Sequence, residues 1–211
     1  MHKRLRTLRK HLAKSLGKSP TLKHVPGVST LRFKFDPKKT AQAVAFLLRL
    51  SNNKRTKFFV VKMLYAADRR QMRRAGVPIT GAAPVSMEHG PVLSEVLDLL
   101  NGVRSDPLWK NHISTASRDT HLIHLKKDLP DNLLTENEKK SLCIAHEVFS
   151  KMTKDEAEEY CHRNFKEWVA PGKTSKPIDF ETIYKEVGRP GFSEEMQDLQ
   201  REEAFLLQLL A

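Results

Sequence analysis

The residue types most able to do chemistry in this chain meet in one short run, where His89 stands between Glu88 and Gly90 and is followed by Ser94 and Glu95. A histidine, a hydroxyl and a carboxylate are the parts of a nucleophile and base relay. The surrounding sequence argues against that use. No G-x-S-x-G elbow strains and exposes a serine here, and a glutamate in the first turn of a helix is favoured by the helix dipole for stability alone. The expectation is a structural corner at His89, no catalytic residue, and a protein that is not an enzyme.

The remaining polar candidates divide in the same way. His121 and His124, if they share a strand, project to opposite faces because side chains alternate with period two, which excludes shared metal ligation. Cys161-His162 offers two ligand types without a second pair at zinc spacing, and Cys161 is most economically a small core residue. Neither a metal nor a cofactor is expected. Lys62 interrupts an otherwise apolar run; a buried functional lysine is one reading, but the expectation is that its aliphatic stem crosses the core and releases the charge at the surface. Trp109 and Trp168 are interface anchors or core lids. No glycine-rich phosphate loop and no H-E-x-x-H motif is present.

The elements that would position these residues are mostly helical. Asp36-Pro37 is an N-cap followed by proline at the first helical position, and Val44, Leu47 and Leu48 mark the core face of the helix that follows. From Thr56 the run through Phe58 and Ala67 is apolar almost all round, the mark of a central buried helix, ending near Gly76. Residues 77–87 hold the glycine, prolines and β-branched residues of extended pieces around a turn. Gly90-Pro91 is read as a new helix start that runs to Leu100 and closes at Asn101-Gly102. Residues 103–117, with Trp109, read as a partly ordered connection. Residues 120–125 form a strand candidate that could pair with the piece around Val85. Thr135 and Thr153 each precede a glutamate at capping-box spacing, and Asp179 and Ser193 open two further helices, the last reaching Leu210. The predicted fold is mostly α (α+β): a compact helical domain with a central buried helix and a small antiparallel sheet of two or three strands. The predicted boundaries are a basic arm and linker at 1–34, a domain at 35–190 and a C-terminal helix at 191–211. Its last turns, residues 205–210, either dock on the chain's own core or add a helix to a partner; docking is the expectation.

The charge is unevenly placed. The 211 residues carry a formal net charge of +12. Twelve of the Lys/Arg and one acid, Asp36, lie in residues 1–40, so that segment holds +11 and the other 171 residues hold +1. Leu5, Leu8, Leu12 and Leu16 recur there at helical spacing with cations on the remaining faces, and Pro20, Pro26 and Gly27 then break any periodicity. Lys3, Arg4, Arg6, Arg9, Lys10 and Lys14 could contact nucleic-acid phosphates, an anionic membrane surface or an acidic protein partner; a solvated extension or a transit peptide has the same composition. No uncharged run approaches the roughly 18 apolar residues of a membrane span. Two cysteines and no secretory h-region point to a reducing, cytoplasmic setting with two buried thiols.

Residues 57–102 carry three ordered motifs: Val61-Lys-Met-Leu-Tyr-Ala-Ala-Asp-Arg69, Gly76-Val-Pro-Ile-Thr-Gly81, and Met87-Glu-His-Gly-Pro-Val-Leu-Ser-Glu-Val-Leu-Asp-Leu-Leu100. Together they closely resemble the Panacea domain of SocA-like antitoxins, whose pattern is K-L-L-Y-x-A-D, G-x-P-I-T-G and H-G-P-V-x-x-E-V, with Met63 here where leucine is usual. Trp109, His162, Glu167-Trp168 and Pro177-Ile-Asp179 look like the family's later landmarks, so the resemblance covers residues 35 to 190. It implies a bacterial or phage antitoxin that neutralises a toxin protein, encoded by the adjacent gene, through direct binding. In the SocA branch the antitoxin also delivers its toxin to the ClpXP protease. The fold-signature or toxin-contact candidates are then Lys62, Tyr65, Asp68, His89, Gly90, Pro91, Glu95, Trp109, Glu167 and Trp168. A nucleic-acid-binding regulator acting through the basic arm is the alternative.

Overall fold

The computed structural model describes residues 31–116 and 119–209. The leucine stripe, the linker prolines and the six basic candidates between Lys3 and Lys14 lie outside the described residues, as does Leu210. Helix α1 (Pro37–Leu50) starts as its sequence requires: the Asp36 carboxylate accepts the Lys39 N–H, and Pro37 occupies the first position. A short strand β1 (Lys54–Thr56) leads into α2 (Lys57–Ala75), which Gly76 closes in the left-handed region. Strands β2 (Pro84–Met87) and β3 (Gly90–Leu93) form a hairpin and run into α3 (Ser94–Asn101). Then come α4 (Pro107–His112), β4 (Leu122–His124), α5 (Glu136–Phe149), α6 (Lys154–Asn164), β5 (Lys176–Pro177), α7 (Phe180–Glu186) and α8 (Phe192–Leu209). Both threonine capping boxes close, with each threonine and glutamate satisfying the other's backbone donor.

The mostly helical class with a small sheet is borne out: the described residues form eight helices, α2 among them, and five short strands in antiparallel sheets of two and three. Helix α2 is buried from Phe59 to Met72 on most sides, packing against α5, α1 and β3. Four expectations are corrected. Gly90-Pro91 opens a strand rather than a helix, and α3 begins only at Ser94. Proline is tolerated there because β3 is the edge of the β3-β2-β5 sheet, where a missing N–H removes no essential ladder bond. Strand β4 pairs with β1, Arg55 opposite Ile123, whereas Val85 lies opposite Val92 and Pro177. The segment around Trp109 is a helix, capped by Asp106 and started by Pro107, the same signal that opens α1. Of the two thiols, Cys161 is buried and Cys143 is only partly so.

The C-terminal helix divides along its length. Phe192 meets Tyr184 edge to face, Met196 packs against the core, and Gln200 donates to the Arg32 carbonyl. Beyond Gln200, Phe205 is 45% and Leu207 63% exposed. The expectation that the final apolar turns bury against this chain's own core therefore fails for these two side chains.

Candidate functional site at the β2–β3 hairpin

Helix α2 turns one stripe of polar groups inward. Lys62, Tyr65 and Asp68 follow at spacings of three and Arg69 stands four beyond Tyr65, which brings them to one side of the helix, and together they reach three distant segments. The Lys62 ammonium donates to the Pro91 carbonyl at 3.0 Å and lies over the Phe58 ring. Tyr65 donates its hydroxyl to the Glu167 carboxylate at 2.8 Å, and Arg69 grips the same carboxylate with Nε at 2.7 Å and Nη2 at 3.2 Å. The Asp68 carboxylate accepts the backbone N–H groups of Ile79 and Thr80 and the Thr80 hydroxyl. One helix thus fastens the 76–81 turn, the hairpin and the segment after α6.

Burial sets the electrostatics of these groups. Lys62 is 1% exposed, so the expected release of its charge at the surface does not occur. Desolvation lowers the ammonium to about 8, with Cys161 and Glu158 pulling the other way. Burial pushes the Asp68 carboxyl up to about 7 against its three donors. The same cause, reinforced by Glu167, raises the Tyr65 hydroxyl well above its ordinary value, and burial raises the Cys161 thiol to about 11. A thiol held protonated in this way is a core residue rather than a nucleophile.

The hairpin explains its own motif. Glu88 and His89 make the turn, and Gly90 follows at φ +94°. A Cβ at Gly90 would stand 2.9 Å from the Cys161 Cβ and 3.1 Å from Lys62 Nζ, so both the conformation and the space require glycine. Pro91 has no N–H to leave unpaired, and its carbonyl is taken by Lys62. On the neighbouring side Trp168 donates its indole N–H to the Met87 carbonyl, stacks on His162 at 3.9 Å, and is followed by Val169, whose N–H donates to the buried Ser86 hydroxyl.

His89 and Glu95 each have a partner outside a relay with Ser94. The imidazole Nδ1 of His89 pairs with Glu158 of α6 at 2.8 Å, not with a neighbour of its own segment. Glu95 accepts the Ala83 N–H and pins the approach to β2. Trp109 is elsewhere, buried under α1 with its indole N–H on the Pro37 carbonyl. Nine of the ten candidates in the described residues therefore meet around α2 and the hairpin, and Trp109 does not. Arg69, Ser86 and Glu158 complete the arrangement and were not among the sequence candidates; Arg69 at the end of the first motif is the one that carried a signal. Among the described residues no group of three or more His, Cys, Asp or Glu is placed to hold a metal ion.

The family model for the SocA-like antitoxin, Panacea domain, matches residues 60–169. The chain belongs to this family. The match begins two residues before Lys62 and ends at Val169, so the Panacea segment takes in all three anchorages of α2, and membership supports an antitoxin role. No curated protein and no solved structure matches the chain. No helix among the described residues is long and apolar enough to cross a membrane.

Proposed function

We propose that the chain neutralises a toxin protein, the product of the adjacent gene, by direct binding through the hairpin tip and the Trp168–Val169 segment. The observation that carries this reading is the Panacea match over residues 60–169. The arrangement of the motif residues supports the choice of face. Lys62, Tyr65, Asp68 and Glu167 are buried, Lys62 holding the Pro91 carbonyl, Tyr65 holding Glu167 and Asp68 holding the Ile79 N–H, which makes them positioning groups for what they hold. The reachable parts are Glu88 and His89 at the tip, half-buried Trp168, and Val169 at 53% exposure. An aromatic held rigid by a hydrogen bond and flanked by an exposed apolar residue is the composition of a protein-binding hot spot.

The test is growth rescue. The adjacent gene, expressed alone in a bacterial host, arrests growth, and coexpression of this chain restores it. Val169→Asp combined with His89→Ala, both at solvent-facing positions, removes the rescue while leaving the purified protein's melting transition in place. A neighbour that is harmless alone, or toxicity that persists beside the wild-type chain, overturns the antitoxin reading; full rescue by the double variant moves the binding face elsewhere. Delivery of the bound toxin to ClpXP is the further step we propose. It requires the toxin's half-life to lengthen several-fold in cells lacking that protease, and an unchanged half-life leaves sequestration alone.

A further inference from the structure

The distal half of α8 carries a helical face that starts on the body and runs off it. Met196, Gln200, Ala204 and Leu207 follow at spacings of four, four and three, a single stripe on an α-helix. Met196 packs against the core. One turn on, the Gln200 side chain donates to the Arg32 carbonyl at 2.9 Å. One and two turns further, Ala204 and Leu207 are exposed. The stripe loses its cover at the level where the N-terminal part of the chain meets the helix. Leu31 is buried and Phe33 packs edge-on against Phe180 of α7, so the described part of the chain begins beside α8.

Charge points to the same occupant. Helix α8 holds Glu194, Glu195, Asp198, Glu202 and Glu203 against a single Arg201, a net charge of −4. Residues 1–30 hold eight Lys/Arg and no acid. Within them Leu5, Leu8, Leu12 and Leu16 repeat at spacings of three, four and four, an apolar stripe matched in period to that of α8. Reach is no obstacle. The 14 residues from 17 to 30 can span up to about 46 Å when extended, whereas the nine residues from Gln200 to Leu209 rise only about 14 Å.

We propose that residues 3–16 dock on the distal half of α8 within the same chain, leucines against the Ala204 and Leu207 side and cations beside the α8 acids. The basic arm is thus matched to an acidic partner that the chain itself supplies. The proposal does not depend on the toxin-binding reading.

Zero-length carbodiimide cross-linking of the full-length protein, followed by peptide mass spectrometry, tests it. An equal mixture of unlabelled and nitrogen-15-labelled chains separates contacts within a chain from contacts between copies. The expected result is isotopically pure cross-links from Lys3, Lys10 or Lys14 to the acids of α8. These should fall at least fivefold in a Leu8→Ser/Leu12→Ser variant. The body ion pair Lys39–Glu138, at 2.6 Å, is the internal control and should cross-link equally in both proteins. An unchanged control shows that the fold survives the substitutions. Isotopically mixed cross-links would assign the α8 face to a second copy. Arm cross-links spread evenly over acids of the body, or insensitive to the leucine substitutions, would show an unattached arm. Any of these results overturns the proposal.

Discussion

Glu167 ties its segment to α2 through three donors, since one carboxylate accepts from Tyr65 and from two nitrogens of Arg69. Removing it leaves a partly buried guanidinium and a buried hydroxyl without an acceptor. Glu167→Ala should therefore cost about 3 kcal/mol or more in urea denaturation, and Glu167→Gln, which keeps one acceptor oxygen, should cost less. Lys62 makes a prediction with a sign. Its folded pKa is lowered to about 8, against about 10.4 in an unfolded chain, so between those values the unfolded state binds more protons and stability rises with pH. Between about pH 7 and about pH 9.5 the wild type should gain about 2 kcal/mol relative to Lys62→Met; a difference independent of pH would show that Lys62 is solvated. The burial of Lys62 is not legible in the sequence. A lysine among apolar residues has the same pattern whether its charge escapes or stays inside, and the deciding acceptor, the Pro91 carbonyl, lies 29 residues away.

Elements whose signals are local are legible, and those set by distant partners are not. Asp36-Pro37, Thr135 with Glu138, Thr153 with Glu156 and Asp179 all mark helix starts correctly, because a cap is satisfied within four residues. The Gly90-Pro91 pair obeys the same local rule and misleads, because an edge strand can also accept a proline and only the sheet's order reveals the edge. The expected partner of β4 fails for a related reason: its period-two pattern admits any exposed edge, and β1 is too short to announce itself. The hairpin's dependence on Gly90 can be measured. Gly90→Ala adds a methyl group against Cys161 and Lys62 at a positive φ and should lower stability by about 1–3 kcal/mol. Cys161→Gly in the same chain should recover only part of that loss, because the backbone strain remains.

At the scale of the whole molecule, the positive charge and the family motifs occupy different territory. The motifs build a body in which one helix anchors a turn, a hairpin and the Glu167–Trp168 segment, and much of this was legible because the motifs are contiguous in sequence. Which of their side chains reach the surface was not, since exposure depends on how α6 and the 165–170 segment cover the hairpin. The cations are concentrated in residues 1–30, and the acids of α8 lie near the other end of the chain. The two assignments predict different behaviour in salt. Partner binding at a face of mixed polarity should be nearly indifferent to ionic strength, while contacts of the arm should weaken steeply as screening lengths shrink. The most direct test of the central claim is calorimetric titration of the purified chain into the purified product of the adjacent gene. A saturable complex that persists when residues 1–30 are deleted, and that Val169→Asp with His89→Ala weakens at least tenfold, is the predicted result. No heat of binding with the wild-type chain, or binding lost with the arm and untouched by the hairpin substitutions, would contradict it.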